Sequence, residues 1–140
     1  KQPVTLLPGG SFFHHAASFA MMRGGHLDIC VLGAFQVSST GDLANWSTGE
    51  PGAIPAVGGA MDLAVGAKAT WVMMDLLTKT GECTVVEECS YPLTGLACVK
   101  RIYTDLCTLE CTPDGLRLID TVPGLTHAEL ESIVGLPIRQ

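Results

Sequence analysis

Short apolar runs alternate with glycine-rich turns along most of the chain. Val4 to Leu7 is apolar and closes on Pro8-Gly9-Gly10, which predicts a strand and a turn. Ser11 then stands where a helix cap would. Phe12, Ala16, Phe19 and Ala20 recur at near-helical spacing as far as Arg23, with Gly24-Gly25 as the stop. Leu27 to Gly33 is nearly continuous apolar sequence with one acid, Asp28, the pattern of a buried parallel strand. Strand, helix and strand in that order predict a βαβ unit with a right-handed crossover.

Residues 34–56 break the pattern. Gln36, Ser38, Ser39, Thr40, Asp42, Asn45, Ser47 and Thr48 dominate, with Trp46 among them. A long polar loop between apolar segments is usually functional. A Pro-rich stretch then leads into Gly58-Gly59 and a small-residue helix ending near Lys68. Ala69 to Leu77 reads as a second core strand, with Lys79 just past its C-terminal end. In open α/β sheets ligands gather at that end of the strands. Val99 to Tyr103 and Leu106 to Cys111 are predicted strands. Thr112-Pro113-Asp114-Gly115 is a turn that returns Leu116 to Asp120 as a hairpin partner. Thr126-His127-Ala128-Glu129 is a capping box before Leu130, Ile133 and Val134, and Gly135 and Pro137 stop that helix.

Length and composition narrow the choice. The 140 residues suffice for a single domain, 1–140, with a real core. Apolar residues make up 47% and charged residues 16%. That suits a sheet covered on both faces or a large partner interface. Net charge is −6 with no basic run, which argues against nucleic-acid binding. No apolar run is long enough to span a bilayer, and Lys1-Gln2-Pro3-Val4 is neither a signal nor a transit peptide. The cysteines, at 30, 83, 89, 98, 107 and 111, include no C-x-x-C pair. They read as free thiols in a reducing compartment, with no metal site.

The chemistry candidates are few. N–H groups at a helix start lack intrahelical partners, and the helix dipole adds positive charge there. Gly58 and Gly59 have no Cβ, so a ligand oxygen can approach the main chain as an anion or a developing oxyanion. There is no G-x-S-x-G elbow, G-x-G-x-x-G or P-loop. His14 and His15 are adjacent, so on a helix they point about 100° apart and cannot share one metal. His26 and His127 read as structural; for Asp62, a carboxylate in a helix's first turn favours the dipole, a role as well founded as a catalytic one.

Ser18-Phe19-Ala20-Met21-Met22-Arg23-Gly24-Gly25-His26-Leu27-Asp28 and Leu32-Gly33-Ala34-Phe35-Gln36-Val37-Ser38 resemble the β-subunit half of class I CoA-transferases. So do Gly41-Asp42-Leu43-Ala44-Asn45-Trp46, Gly58-Gly59-Ala60-Met61-Asp62-Leu63 and Tyr91-Pro92-Leu93-Thr94-Gly95, in order and over nearly the whole chain. The resemblance implies an α/β fold, an open, mainly parallel sheet flanked by helices. It implies CoA transfer from succinyl-CoA to 3-oxoadipate or a similar 3-oxoacid, with a glutamyl-CoA intermediate. Coenzyme A is then a substrate, and no cofactor is permanently bound. Gly59, with Gly58, matches the family's glycine element near the thioester carbonyl. Lys79, in Thr78-Lys79-Thr80-Gly81, matches a lysine that contacts CoA, and Asn45 falls in the substrate-facing loop. The family's nucleophile sits in a Glu-Asn-Gly element that this chain does not contain. The chain therefore resembles a β subunit without its N-terminal part, inactive until joined by that segment and an α subunit in a hetero-oligomer. The implied location is the bacterial cytoplasm or, for a eukaryotic relative, the mitochondrial matrix. Two other readings stay open: a non-catalytic fragment or paralogue that binds CoA or a partner subunit, and a sugar-phosphate isomerase on the same fold. The lack of extra basic residues near Gly58-Gly59 weighs against the isomerase.

Overall fold

The computed structural model describes residues 2–49, 52 and 58–140. Among these, helix α1 spans His15–Arg23, α2 Ala60–Gly66 and α3 His127–Val134. Strands β1 (Ile29–Leu32), β4 (Ala69–Met73), β6 (Val99–Tyr103), β7 (Cys107–Thr112), β8 (Gly115–Thr121) and β9 (Ile138–Arg139) form one sheet in the order β1-β4-β6-β7-β8-β9. Strands β2 (Gln36–Ser38), β3 (Leu43–Ala44) and β5 (Val85–Val86) form a small sheet, ordered β3-β2-β5. The large sheet is mainly parallel: β1 with β4, β4 with β6, and β8 with β9. The fold is thus the expected α/β type, an open sheet with flanking helices.

The hairpin and the final helix form as their residues dictate. Gly115, at φ +103°, closes the turn between β7 and β8. Thr126 and Glu129 complete the capping box reciprocally, and Gly135 ends α3 in the left-handed region. The N-terminal expectations need correction. Val4 to Leu7 forms no strand, and Val4 and Leu7 are exposed. The turn after it is present, with Gly10 N–H donating to Leu7 O at 3.0 Å. Ser11 is not the cap of α1. His14 takes that place, its Nδ1 accepting from Ala16 N–H at 3.1 Å. As Val4 to Leu7 forms no strand, the expected βαβ unit through α1 is not formed by these residues, and α1 packs on α2. The parallel crossover runs from β1 through α2 to β4.

Residues 34–56 are not one long loop. They carry β2 and β3, and Val37, Leu43 and Ala44 are fully buried. The polar composition hid this because the buried polar groups satisfy the segment's own turn. Ser38 Oγ accepts from Asp42 N–H at 2.9 Å and lies 3.0 Å from Thr40 Oγ1. Strands β5 and β9, of two residues each, left no period to read.

One cluster of buried side chains joins the layers. Val72, Ile102, Leu109 and Leu116 from the large sheet meet Val37, Leu43 and Val85 from the small one and Leu130 and Val134 from α3. The turn between β2 and β3 meets the start of β6 at Gly41, which sits at φ +91° and where an added Cβ would lie 2.6 Å from Val99 O. Across this contact Val99 N–H donates to Gly41 O (2.9 Å), Ala97 N–H to Asp42 Oδ1 (2.8 Å) and Leu43 N–H to Gly95 O (2.9 Å). The opposite face of β1 and β4 lies open: Ile29, Val31 and Met73 are 46%, 53% and 62% exposed.

All six cysteines are free thiols, as their spacing suggested. Burial pushes Cys98 up to about 11 and Cys111 up to about 12, from an ordinary value of 9.0. Their neutral forms are favoured in the folded state. That stability is full below the unfolded thiol's range and is lost as pH rises from about 9 through about 12. A guanidinium midpoint that falls between pH ~8 and ~11, with thiol release tracking unfolding, is the expected result. Gly41→Ala should cost about 3 kcal/mol in urea unfolding, from backbone strain plus the Val99 clash.

Candidate functional site

The three parallel strands β1, β4 and β6 end on the same edge of the large sheet, and a cleft of about 630 Å³ opens there. Ala34 and Phe35 reach it just after β1, Met74, Asp75 and Lys79 after β4, and Asp105 after β6. This is where side chains from separate crossovers converge in an open α/β sheet. Thr84, just before β5, and Tyr91, beyond it, also line the cleft. Phe35 and Tyr91 meet edge to face, with ring centroids 6.4 Å apart.

Hydrogen bonds set the cleft floor. Asp105 Oδ1 accepts from Leu76 N–H at 2.8 Å. Thr84 Oγ1 donates toward Asp75 O at 2.9 Å and Leu76 O at 3.0 Å. Beyond them the chain turns tightly. Thr78 N–H donates to Glu82 O at 2.8 Å and Gly81 N–H to Thr78 O at 2.9 Å. Lys79 rides this turn, exposed, with no carboxylate partner among the described residues. An ammonium left unpaired on a cleft rim is available to an anionic ligand group.

The other expected site residues lie elsewhere. Gly59 is the N-cap of α2, its O accepting from Leu63 N–H at 3.0 Å, and no side chain caps the helix. An added Cβ on Gly59 would meet the Phe19 ring at 3.2 Å, whereas at Gly58 it would meet nothing within 4 Å. Gly59 therefore has a packing reason to be glycine; Gly58 has none in its surroundings. Val57 and most of the Pro-rich stretch before it lie outside the described residues. Asp62, in the first turn of α2, pairs with Arg23 at 2.6 Å. Asn45 is engaged at both ends of its amide. Its Nδ2–H donates to Gly33 O at 3.0 Å and its Oδ1 accepts from Thr94 Oγ1 at 2.6 Å. Of the four candidates, only Lys79 lines the large cleft. His14 caps α1, His15 packs against Phe19, and His127 contacts Ile138 O. Each histidine is thus accounted for without catalysis, except His26, which is exposed.

Sequence reasoning missed Phe35, Asp75, Tyr91 and Asp105 as cleft residues. Three of these follow the ends of β1, β4 and β6, so the strand-end rule that found Lys79 applied to them too. Tyr91 had no such signal. Among the described residues no cluster of histidine, cysteine or acidic side chains can hold a metal, and no helix is long and apolar enough to cross a membrane.

The Coenzyme A transferase family matches residues 1–130. A 3-oxoadipate CoA-transferase subunit from Pseudomonas putida is 66% identical over 138 residues, covering 99% of this chain and 65% of the relative. A succinyl-CoA:3-ketoacid coenzyme A transferase subunit from Helicobacter pylori is 45% identical over 126 residues, covering 90% and 60%. The chain thus spans somewhat under two thirds of the length of these relatives. The apoenzyme structure of an acyl-CoA transferase (YdiF) from Escherichia coli O157:H7 aligns with a TM-score of 0.76 at 19% identity, over 93% of this chain and 30% of that one.

Glycine replacement separates packing from any ligand role. Gly58→Ala should leave unfolding free energy within about 0.5 kcal/mol, since its Cβ enters open space. Gly59→Ala should cost about 1 kcal/mol, because the Phe19 ring must move and alanine is a poor cap. Urea midpoints of the two variants test this.

Proposed function

Because the chain belongs to the Coenzyme A transferase family, we propose that it forms part of a 3-oxoacid CoA-transferase. The reaction moves CoA from succinyl-CoA to 3-oxoadipate or a similar 3-oxoacid. The observation that carries this reading is the 66% identity to a 3-oxoadipate CoA-transferase subunit over 99% of the chain. The cleft at the carboxyl edge, with Lys79 on its rim and no carboxylate partner for it among the described residues, supports it.

The proposed chemistry is covalent. A glutamate carboxylate attacks the succinyl thioester carbonyl, the C–S bond breaks, and CoA leaves as thiolate from an acyl-glutamyl anhydride. The thiolate then adds to the glutamyl carbonyl and releases succinate, leaving a glutamyl-CoA thioester. The 3-oxoacid carboxylate takes the acyl position by the reverse sequence. Every addition places negative charge on a carbonyl oxygen, which needs preorganised donors. Gly58 and Gly59 N–H, at the uncapped start of α2, are the proposed donors. No glutamate of this chain stands in a Glu-Asn-Gly element, so the nucleophile comes from outside these 140 residues. An α subunit and a further β segment complete the site. Lys79 offers a point charge to a CoA phosphate. Asn45 acts as a positioning residue, tying the segment after β1 to Thr94. Coenzyme A enters as substrate, and the bacterial cytoplasm or the mitochondrial matrix is the compartment that fits.

The test is CoA transfer from succinyl-CoA to 3-oxoadipate by the fully assembled enzyme. Lys79→Ala should raise KM for succinyl-CoA about tenfold with kcat little changed, the loss of one charge-assisted contact. No transfer in the assembled wild type overturns the function, and an unchanged KM removes Lys79 from the site.

A further inference from the structure

The large cleft has a neighbour. A smaller compartment of about 310 Å³ shares Phe35, Thr78 and Tyr91 with it, so the edge-to-face aromatic pair stands on the wall common to both. Gln36 and Glu82 line the smaller compartment only.

Gln36 is held in an unusual way. Its Oε1 accepts from Ser90 N–H at 2.9 Å, from Ser90 Oγ at 3.1 Å and from Tyr91 N–H at 3.3 Å. Two backbone donors on one atom identify it as the carbonyl oxygen, because the amide nitrogen has no acceptor capacity. Three donors also saturate it. Gln36 is therefore left as a donor only, and its amide nitrogen has no partner among the described residues. The backbone holds the residue from below, as Gln36 pairs with Ala44 in the small sheet. Two N–H groups are thus preorganised beside a cavity.

The charge of the compartment restricts what they bind. Glu82 is its one charged lining residue among those described, and no lysine or arginine lines it; Lys79 belongs to the larger cleft. A carboxylate or phosphate would meet Glu82 unpaired. A neutral carbonyl oxygen meets only the donors. A volume near 310 Å³ is at the small end of ligand pockets, suited to a slender chain and not to a nucleotide.

We propose that the smaller compartment takes the pantetheine arm of an acyl-CoA, with one of its amide carbonyl oxygens accepting from Gln36 Nε2–H. The methylene groups between its two amides lie along the Phe35–Tyr91 wall. The Lys79 ammonium on the adjoining rim remains for the phosphates. This assignment rests on the CoA-transferase reading above and adds the part of the substrate that Gln36 recognises.

Gln36→Glu separates the two jobs of the side chain. A carboxylate still accepts from Ser90 and Tyr91, but it has no N–H to give and turns an oxygen toward the ligand. In the assembled enzyme, KM for succinyl-CoA should rise at least tenfold. The rate with a succinyl thioester of a simple alkanethiol, which has no amide carbonyl, should stay as in wild type. Gln36→Met, which loses both jobs, should impair both substrates. An unchanged KM in Gln36→Glu, or an equal loss with both thioesters, overturns the assignment. A wild-type enzyme that uses neither thioester overturns the transferase reading instead, and this assignment with it.

Discussion

Gly41 is where the two sheets are brought to contact distance, and the site follows from that contact. Its backbone occupies space that any side chain would have to share with the Val99 carbonyl. The approach lets three main-chain hydrogen bonds and the Asp42 carboxylate stitch residues 41–43 to 95–99. Once the small sheet is fixed, Phe35 and Gln36 lie at one end of β2, and Thr84 bonds the chain just past β4. The cleft is the gap that remains between the carboxyl edge of the large sheet and this second layer.

Where a local rule sufficed, the sequence was a good guide. The capping box at Thr126, the turn at Gly115 and the strand Val99–Tyr103 follow from short-range patterns, while the run read as a strand from Ala69 to Leu77 holds one only over Ala69–Met73. Failures came where a distant partner decides. Val4 to Leu7 has strand composition but pairs with no strand among the described residues. Residues 36–44 have loop composition but are drawn into the core because Ser38 satisfies its own turn. For the site, the strand-end rule reached Lys79. The hydrogen bonds between Asn45 and Thr94, and the convergence of Ser90 and Tyr91 on Gln36, join residues 49 to 55 positions apart and carry no local signature.

The structure also separates glycines that the sequence presents alike. Gly58 and Gly59 are adjacent, yet one faces open space and the other faces the Phe19 ring. Gly66 is more constrained than either, since an added Cβ would run into the Met22 carbonyl where α2 crosses α1. A glycine motif is thus several requirements superposed: backbone access, a close helix crossing and a side-chain neighbour. Only the first of these concerns a ligand.

The uncovered face of β1 and β4 gives these strands an arithmetic. Cys30, Leu32, Thr70 and Val72 share the inner side, while Ile29, Val31, Trp71 and Met73 share the outer one. Residue parity therefore sorts the consequences of change. At even positions a substitution alters the interior of this unit and registers as folding free energy. At odd positions the same substitution leaves that interior intact and registers as solubility or as contact with whatever lies against the sheet. Two neighbouring residues of one strand thus answer to different selective pressures, and a mutational scan across β1 or β4 would alternate between them with a period of two.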